Sequence, residues 1–344
     1  MAQFIPRAVF PTQLSLPRSY FLGHHASGLS KMKTMLSSID IIIECRDYRV
    51  PLTSRNPLFE QLLSGRNRLV IYTKRDLGNQ GHFSDRQRED IIRDWHAPNP
   101  TLFTDHKSKQ DIKTVLNFTK NEAIHLNNLL GTRILVVGMP NVGKSSLLNA
   151  LRMAGVKKAK AAFTGAQPGI TRKIASSVKI VEKDEEKGIE AVYLLDTPGV
   201  FVPFVPDAEA MLKLALVGSV KDTIIAPVTL CDYLLFHINK QPGGQDLYKE
   251  YCHPTNNIIE LLEGVCRKTG RLGKGGVPDT DAAALWIIQR WRQGNMGKFV
   301  LDEVEEDGLA RKMNEEVAIS VSQARKQKKQ EQMARSKAKH AATI

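Results

Sequence analysis

The stretch of sequence best suited to chemistry lies at residues 134–146 and reads ILVVGMPNVGKSS. An apolar run ends at Gly138, and Gly143, Lys144 and Ser145 follow after four further residues. Between a strand and a helix, this G-x-x-x-x-G-K-S pattern forms a loop whose backbone N–H groups surround phosphates. We expect Lys144 to reach the β- and γ-phosphates and the Ser145 hydroxyl to bind Mg²⁺. The other residues of the predicted phosphate cradle are Asn141, Val142, Gly143 and Ser146.

Two further motifs follow the phosphate-binding pattern. Residues 194–199 read LLDTPG, an apolar run that ends in Asp-x-x-Gly. Asp196 is placed to hold Mg²⁺, directly or through a water, and the Gly199 N–H is placed to sense the γ-phosphate. Between the two motifs, residues 168–171 read PGIT. PGIT alone describes a turn before a strand, but in this position Thr171 is a candidate switch residue that completes the magnesium shell.

A third motif bears on base selection, because reading guanine requires an acidic side chain that accepts the N1–H and N2–H₂ donors of the base. Residues 68–76 read RLVIYTKRD, an apolar run that ends in Thr-Lys-Arg-Asp. Asp76 would supply the carboxylate and Lys74 an aliphatic stem over the base. Thr73 stands where such motifs usually have Asn, whose side-chain amide would brace the loop. We therefore expect the protein to prefer guanine but to bind the nucleotide with lower affinity. Downstream, the Asn-Lys pair at residues 239–240 continues as Gln-Pro and lacks the aspartate.

The order of these motifs is unusual, because the base-reading motif precedes the phosphate-binding loop. A doubly wound sheet tolerates such circular permutation, since domain termini often lie close together at the surface. The segment after DTPG then runs directly into whatever follows the sheet. A reading in which Asp76 is irrelevant and the loop binds ATP also remains open on motif grounds.

The apolar pattern predicts an α/β fold, a mostly parallel sheet flanked by helices, with a smaller α-helical domain at the C-terminal side. Continuous apolar runs predict strands at Ile39–Cys45, Arg68–Thr73, Thr101–Thr104, Arg133–Gly138, Val178–Val181 and Ala191–Leu195. Helical spacing appears at Ala208–Val217, Asn257–Lys268 and Asp281–Gln293. We therefore divide the chain into a leader (1–20), a sheet domain (21–206), a helical domain (207–308) and a basic tail (309–344).

Composition bounds the class of protein. A chain of 344 residues favours two domains, and no apolar run approaches the roughly 18 residues of a membrane span. The four cysteines have no paired spacing, which argues against a disulfide framework or zinc site and favours a reducing compartment. The net charge of +13 is concentrated at the two ends of the chain. This asymmetry indicates an anionic partner, although a merely solubilising tail explains it as well.

The first twenty residues mix arginine, serine and apolar residues without an acid, as a mitochondrial transit segment does. Three prolines, Pro6, Pro11 and Pro17, would interrupt the amphipathic helix that such segments form. The sequence therefore favours mitochondrial import without specifying where any leader would be removed.

The chain resembles the circularly permuted ribosome-assembly GTPases of the YlqF/RbgA type, and within them the mitochondrial members. The resemblance covers about residues 20–305. It rests on GMPNVGKSSLLNALR, PGITR, DTPGV, TKRD, IDIIIECRDYRVPLTSRNP and LKLALVGSVKDTII. It implies a permuted GTPase domain that binds GTP and Mg²⁺, a matrix location, and the mitochondrial ribosomal large subunit as partner.

The resemblance also implies particular site residues. His24 matches a family histidine implicated in hydrolysis. Val200 holds the place after DTPG where Ras-like GTPases orient water with glutamine, and valine cannot do so. A role as a helix cap or an exposed side chain remains open for His24. The family uses K⁺, for which Asn141 is the expected ligand, although an Asn here also suits a turn. The guanine-bracing fifth motif would fall near residues 104–107.

We therefore expect a slow GTPase that gates assembly of the mitochondrial large subunit. The basic residues Arg325, Lys326, Lys328, Lys329, Arg335, Lys337 and Lys339 would contact RNA phosphates. A GTP-dependent regulatory protein peripherally bound to the matrix face of the mitochondrial inner membrane is the alternative. The sequence leaves open the contacted RNA, the assembly step and the oligomeric state, for which a monomer is expected.

Overall fold

The computed structural model describes residues 4–11, 30, 32–158, 177–197, 205 and 207–314. The strands in this part of the chain form one six-stranded sheet. They are β1 (Ile41–Asp47), β2 (Arg68–Thr73), β3 (Thr101–Thr104), β4 (Thr132–Gly138), β5 (Val178–Val181) and β6 (Val192–Asp196). The six predicted strands are thus confirmed: β2, β3 and β5 have the predicted bounds, and the ends of the other three differ by at most two residues.

The sheet order is β3-β2-β1-β4-β6-β5. All neighbouring strands are parallel except β5, which pairs antiparallel with β6 at the edge. The predicted mostly parallel sheet is therefore confirmed. The base-reading, phosphate-binding and DTPG motifs follow β2, β4 and β6, and the carboxyl ends of parallel strands share one edge of a sheet. This topology brings the three motifs together although they are scattered in the sequence.

Strand β1 extends two residues beyond its predicted end at Cys45. The apolar pattern stops there because the following residues are charged. These charges are nevertheless buried, since Arg46 Nε lies 2.7 Å from Glu44 Oε1 and a second Arg46 nitrogen lies 3.1 Å from Glu60 Oε1. Buried charges are tolerated when they are paired and hydrogen-bonded. Ion pairing thus allows the central strand to continue to Asp47.

Helices cover the sheet and form the helical region that follows it. The helices beside the sheet are α1 (Pro57–Leu62), α2 (Phe83–His96), α3 (Lys109–Leu126) and α4 (Lys144–Val156). The helical region contains α5 (Ala208–Leu216), α6 (Pro227–Lys240), α7 (Ile258–Thr269) and α8 (Thr280–Arg292). One hydrophobic cluster runs without interruption from the sheet residues Ile41 and Ile134 to Ile287 and Trp291 of α8. A search of the described residues for a membrane-crossing helix, by length and apolar character, finds none.

The segment at residues 4–11, within the predicted leader, packs against α6. Two nitrogens of the Arg7 guanidinium lie 2.6 and 3.1 Å from the two carboxylate oxygens of Asp232. The Phe10 ring meets Tyr233 edge to face, with centroids 5.1 Å apart. A bidentate arginine–carboxylate pair and an aromatic contact are the features of a specific docking site. These residues therefore belong to the folded structure.

The chain after α8 returns to the sheet. Both carboxylate oxygens of Asp302 accept hydrogen bonds from the loop after β1, from Leu52 N at 2.9 Å, Thr53 N at 2.8 Å and Thr53 Oγ1 at 2.7 Å. Next to it, Leu301 N donates to the Arg49 carbonyl at 2.8 Å. Residues near the end of the predicted helical domain therefore contact the sheet domain directly. Residues 308–314, the last that the structure describes, are helical again.

His96, at the end of α2, generates a prediction about stability. Its Nε2 lies 2.9 Å from the Tyr72 hydroxyl, and burial with nearby arginines lowers the pKa of His96 to about 2. The unfolded chain binds a proton below about pH 6.5 while the folded histidine stays neutral, so stability is lost as pH falls below that value. His96→Gln should reduce the loss of unfolding free energy between pH 7.5 and 5.5 by about 1.4 kcal/mol.

Urea denaturation at the two pH values measures this difference. The matched control is His125→Gln, made at an exposed histidine on α3. Equal pH dependence in the two variants would contradict the prediction.

Candidate functional site

The phosphate-binding loop, residues 138–145, leaves the centre of the sheet after β4 and enters α4. Gly138 has φ +150°, and a Cβ there would overlap the carbonyl oxygen of Cys45 on β1. Only glycine lets the loop turn this close to the neighbouring strand. Gly143 caps α4 with φ +90°, so the helix N-terminus faces the loop interior. The loop geometry therefore presents backbone donors and a positive helix end to an anion.

Lys144 is buried beneath the loop. Its Nζ donates to the carbonyls of Met139 at 2.8 Å and Gly138 at 3.3 Å. Burial lowers the pKa of Lys144, while the nearby Asp196 carboxylate opposes that shift. Ser146 follows within the first turn of α4 and is partly exposed. The lysine thus lies inside the cradle where phosphates would bind.

Ser145 and Asp196, the predicted magnesium residues, are in contact. Ser145 Oγ donates to Asp196 Oδ2 at 2.6 Å. The second oxygen, Oδ1, is buried and has no hydrogen-bond partner within the described residues. Burial raises the pKa of Asp196 against the opposing effects of Lys144 and Ser145. A buried, unpaired carboxylate oxygen beside a hydroxyl is the donor set that Mg²⁺ takes in such sites. These residues fit the expected ion.

Thr73 braces the phosphate-binding loop, contrary to the expectation of a lost brace. Its hydroxyl lies in hydrogen-bonding contact with the Val142 carbonyl and 3.1 Å from the Arg46 carbonyl. The hydroxyl has one proton to donate, and the loop carbonyl is the nearer acceptor. Threonine therefore ties the base-reading strand to the phosphate-binding loop through its hydroxyl, without the amide.

The ammonium group of Lys74 links the phosphate-binding loop to the end of β1. Its Nζ donates to the Asn141 carbonyl at 2.6 Å and to Asp47 Oδ2 at 2.9 Å. Burial lowers the pKa of Lys74, the Asp47 carboxylate opposes this shift, and Arg49 and Arg292 add to it. The lysine stem is thereby held in a defined position beside the loop.

Asp76 lies in a short 3-10 turn, Arg75–Leu77, immediately after Lys74. Its side chain is 25% exposed, as a group that must reach a base requires. Lys107 Nζ lies 3.9 Å from Asp76 Oδ2, so the loop after β3 approaches the base-reading aspartate. That loop was the predicted place of the guanine-bracing motif. Asp76 and residues 105–107 thus lie on the same side of the site.

Asn141 contacts the helical region. Its backbone is left-handed, with φ 57°, and its Nδ2 donates to the Gly218 carbonyl at 3.2 Å. Gly218 lies between α5 and α6. Three other predicted site residues, His24, Thr171 and Gly199, lie outside the described residues, as does Val200. The structure therefore brings together the described residues that were predicted to bind phosphate, magnesium and the base.

Two charged residues at the site were missed by the sequence reasoning. Asp47 ends β1, and Arg49 follows in the next turn. Both side chains are 1% exposed, and Arg49 donates to both Asp47 oxygens, at 3.0 and 2.8 Å. Burial acts to raise the pKa of Asp47, but the facing Arg49 and Lys74 cations outweigh it and hold the pKa far below its ordinary value. The sequence did contain a signal for these two residues, because charged side chains at the end of a buried apolar strand need partners of opposite charge.

Together, the parallel sheet and its three clustered motifs define a P-loop GTPase with a circularly permuted motif order. Residues 133–263 match a protein family described as 50S ribosome-binding GTPase. The fold is similar to that of GNP-bound YlqF from T. maritima, with a TM-score of 0.56 at 21% identity. That alignment covers 80% of this chain and 97% of the YlqF chain.

Relatives with higher identity specify the family. Mitochondrial GTPase 1 of Schizosaccharomyces pombe is 34% identical over 91% of this chain and 97% of its own length. Mitochondrial ribosome-associated GTPase 1 of Bos taurus is 35% identical over 86% of this chain and 92% of its own. The chain belongs to this family of mitochondrial GTPases, and it is accordingly an enzyme that hydrolyses GTP.

The Thr73 contact generates a prediction about nucleotide affinity. Thr73→Val keeps the side-chain shape but leaves the buried Val142 carbonyl without its hydrogen-bond donor. An unsatisfied buried carbonyl costs about 1–3 kcal/mol of free energy. We expect GDP to bind about five- to tenfold more weakly, because the loop loses its tie to β2. Titration with fluorescent GDP measures the affinity.

Thr73→Ser retains the hydroxyl and is the matched control, with affinity expected within about threefold of the original. The same affinity in the valine and serine variants would show that the hydroxyl does not position the loop.

Proposed function

We propose that this GTPase assists assembly of the large subunit of the mitochondrial ribosome, as a nucleotide-gated checkpoint on particle docking. The observation that carries the proposal is the contact between the phosphate-binding loop and the helical region, in which Asn141 Nδ2 donates to the Gly218 carbonyl at 3.2 Å. Gly218 follows α5, whose first turn is capped by Asp207, a carboxylate that accepts hydrogen bonds from Glu209 N and Ala210 N. The names of the relatives, which describe mitochondrial ribosome-associated GTPases, supply the partner.

The nucleotide is GTP, held by the phosphate cradle and the base-reading motif. Lys144 would contact the β- and γ-phosphates, and Ser145 and Asp196 would hold Mg²⁺. When bound, the ion would supply positive charge that neutralises the negative charge developing on the phosphates during hydrolysis. Lys74 and Asp76 would read the base. The contacts already made by these side chains support these roles, because each group is pre-oriented by a neighbour.

The remaining roles come from the family resemblance. Thr171 would complete the magnesium shell, and Gly199 would sense the γ-phosphate. His24 would orient the attacking water, a task that Val200 cannot perform. Asn141 would contribute to a K⁺ site. Docking on the particle would favour the hydrolytic arrangement, and hydrolysis would then release the protein.

A mitochondrial location agrees with the names of the relatives and with the acid-free N-terminal sequence. The contacts of Arg7 and Phe10 with α6 favour retention of residues 4–11 in the working protein rather than their removal. The basic tail would add sequence-independent, salt-sensitive affinity for RNA.

Asp76→Asn tests the base-reading role. An amide can donate to the base where the carboxylate accepts, so we expect GTP affinity to fall by at least about tenfold for each charged hydrogen bond lost, at about 1.5–3 kcal/mol per bond. Xanthine nucleotides, which offer an acceptor at that position, should bind better to the variant than to the original protein. Competition titrations with GTP, XTP and ATP measure the preference.

The matched control is Asp90→Asn, at an exposed aspartate on α2. If Asp76→Asn kept the original preference for GTP over XTP, another residue would be the guanine reader.

The partner is tested by GTP hydrolysis in KCl and in NaCl, each with and without purified mitochondrial large subunits. We expect the particle to stimulate hydrolysis, and to do so more strongly in potassium. Cardiolipin vesicles added in place of particles test the alternative, a regulatory GTPase at the inner membrane. Stimulation or co-sedimentation with vesicles alone would overturn the assembly proposal and favour the membrane.

A further inference from the structure

A buried ionic pair connects the base-reading lysine to the loop after β1. Asp47 Oδ2 accepts from Lys74 Nζ at 2.9 Å and from an Arg49 guanidinium nitrogen at 2.8 Å. Its Oδ1 accepts from Arg49 Nε at 3.0 Å and from the Arg49 backbone N–H at 3.1 Å. The carboxylate is therefore shared between two cations in a water-poor position. Any movement of Arg49 must change how Asp47 holds Lys74.

Arg49 is in turn held by helix α8. Its guanidinium carbon lies 4.8 Å from the centre of the Trp291 ring. Trp291 is 1% exposed and Arg49 is 1% exposed, so the cation and the ring face one another without water. A desolvated cation over the face of tryptophan is the strongest form of this interaction. The ring thus packs against the guanidinium that binds Asp47.

The next residue of α8 reaches the same loop by a second path. Arg292 donates to the carbonyls of Ala215 at 2.8 Å and Leu216 at 2.9 Å, at the end of α5. Gly218 follows, with φ +83°, and its carbonyl accepts from Asn141 Nδ2. A Cβ at Gly218 would lie only 2.8 Å from that nitrogen. Both paths end on Asn141, one at its backbone carbonyl through Lys74 and one at its side chain.

We propose that Trp291 is a positioning residue for guanine-nucleotide binding, acting through Arg49 and Asp47 on Lys74. The helical region then influences the nucleotide site by a packed route that bypasses the segment after DTPG. Coupling between two sites is reciprocal, so a partner that shifts α8 changes guanine-nucleotide affinity, and bound nucleotide changes the affinity for that partner. This inference rests on the base-reading role proposed for Lys74, which the Asp76→Asn titration tests separately.

Paired substitutions on α8 test the proposal in the full-length chain. Trp291→Leu removes the aromatic face, and fluorescent GDP should bind about tenfold more weakly. Trp291→Phe keeps a face for Arg49 and should restore affinity to within about threefold. The matched control is Trp286→Leu, the same change on the same helix. Its ring packs instead on Arg271 and Arg290.

The outcomes are distinct. Weak binding by Trp291→Leu, with recovery in Trp291→Phe and unchanged affinity in Trp286→Leu, supports the positioning role. Equal weakening in both leucine variants means a general packing effect and overturns it, as does full affinity in Trp291→Leu. Failure of the original protein to bind GDP would instead contradict the proposed nucleotide site.

A second measurement avoids any loss of folding in the leucine variant. Trp95→Phe combined with Trp286→Phe leaves Trp291 as the sole tryptophan of the chain. Saturating GDP should then shift or quench the emission of Trp291, because nucleotide contacts with Lys74 move Asp47 and the Arg49 cation relative to the ring. Emission that is identical with and without GDP, at concentrations shown to saturate the site, would overturn the proposal.

Discussion

The buried carboxylate of Asp47 is the constraint on which the nucleotide site depends. A charge at the end of a central strand must be neutralised, and it is shared between Arg49 and Lys74. This requirement fixes the turn after β1, the side chain of Lys74 after β2 and, through Lys74, the carbonyl of Asn141 in the phosphate-binding loop. Thr73 adds a neutral tie between the same two loops. Three strand ends are thereby held in register by groups that would be destabilising if left unpaired.

Much of the fold was predictable, because the central strands are continuous apolar runs and their ends are marked by motifs. The phosphate-binding loop was predictable for the same reason, since its chemistry is local and its spacing is fixed. Asp47 and Arg49 were not, because charged residues after an apolar run read locally as the end of a strand. Trp291 reads as an ordinary core residue at helical spacing. Their roles arise from contacts between segments that are far apart in the chain, which local spacing does not encode.

The circular permutation explains why the helical region is close to the phosphate-binding loop. In the permuted order β6 is the last strand of the described sheet, and α5 is the next described helix. The continuous hydrophobic cluster joins the two parts into one core, so α8 packs on the turn after β1 rather than standing apart. Leu301 and Asp302 add to this contact, because both form hydrogen bonds with the same turn.

The docking of residues 4–11 on α6 has a consequence for the order of events during synthesis. Arg7 and Asp232 are separated by 225 positions in the chain. The contact is therefore of very high contact order and forms only after most of the polypeptide has left the ribosome that makes it. Until this contact forms, Arg7 and the apolar residues beside it have no folded surface to pack against. Completion of folding withdraws them, so residues 4–11 are accessible during synthesis and become part of the packed structure only afterwards.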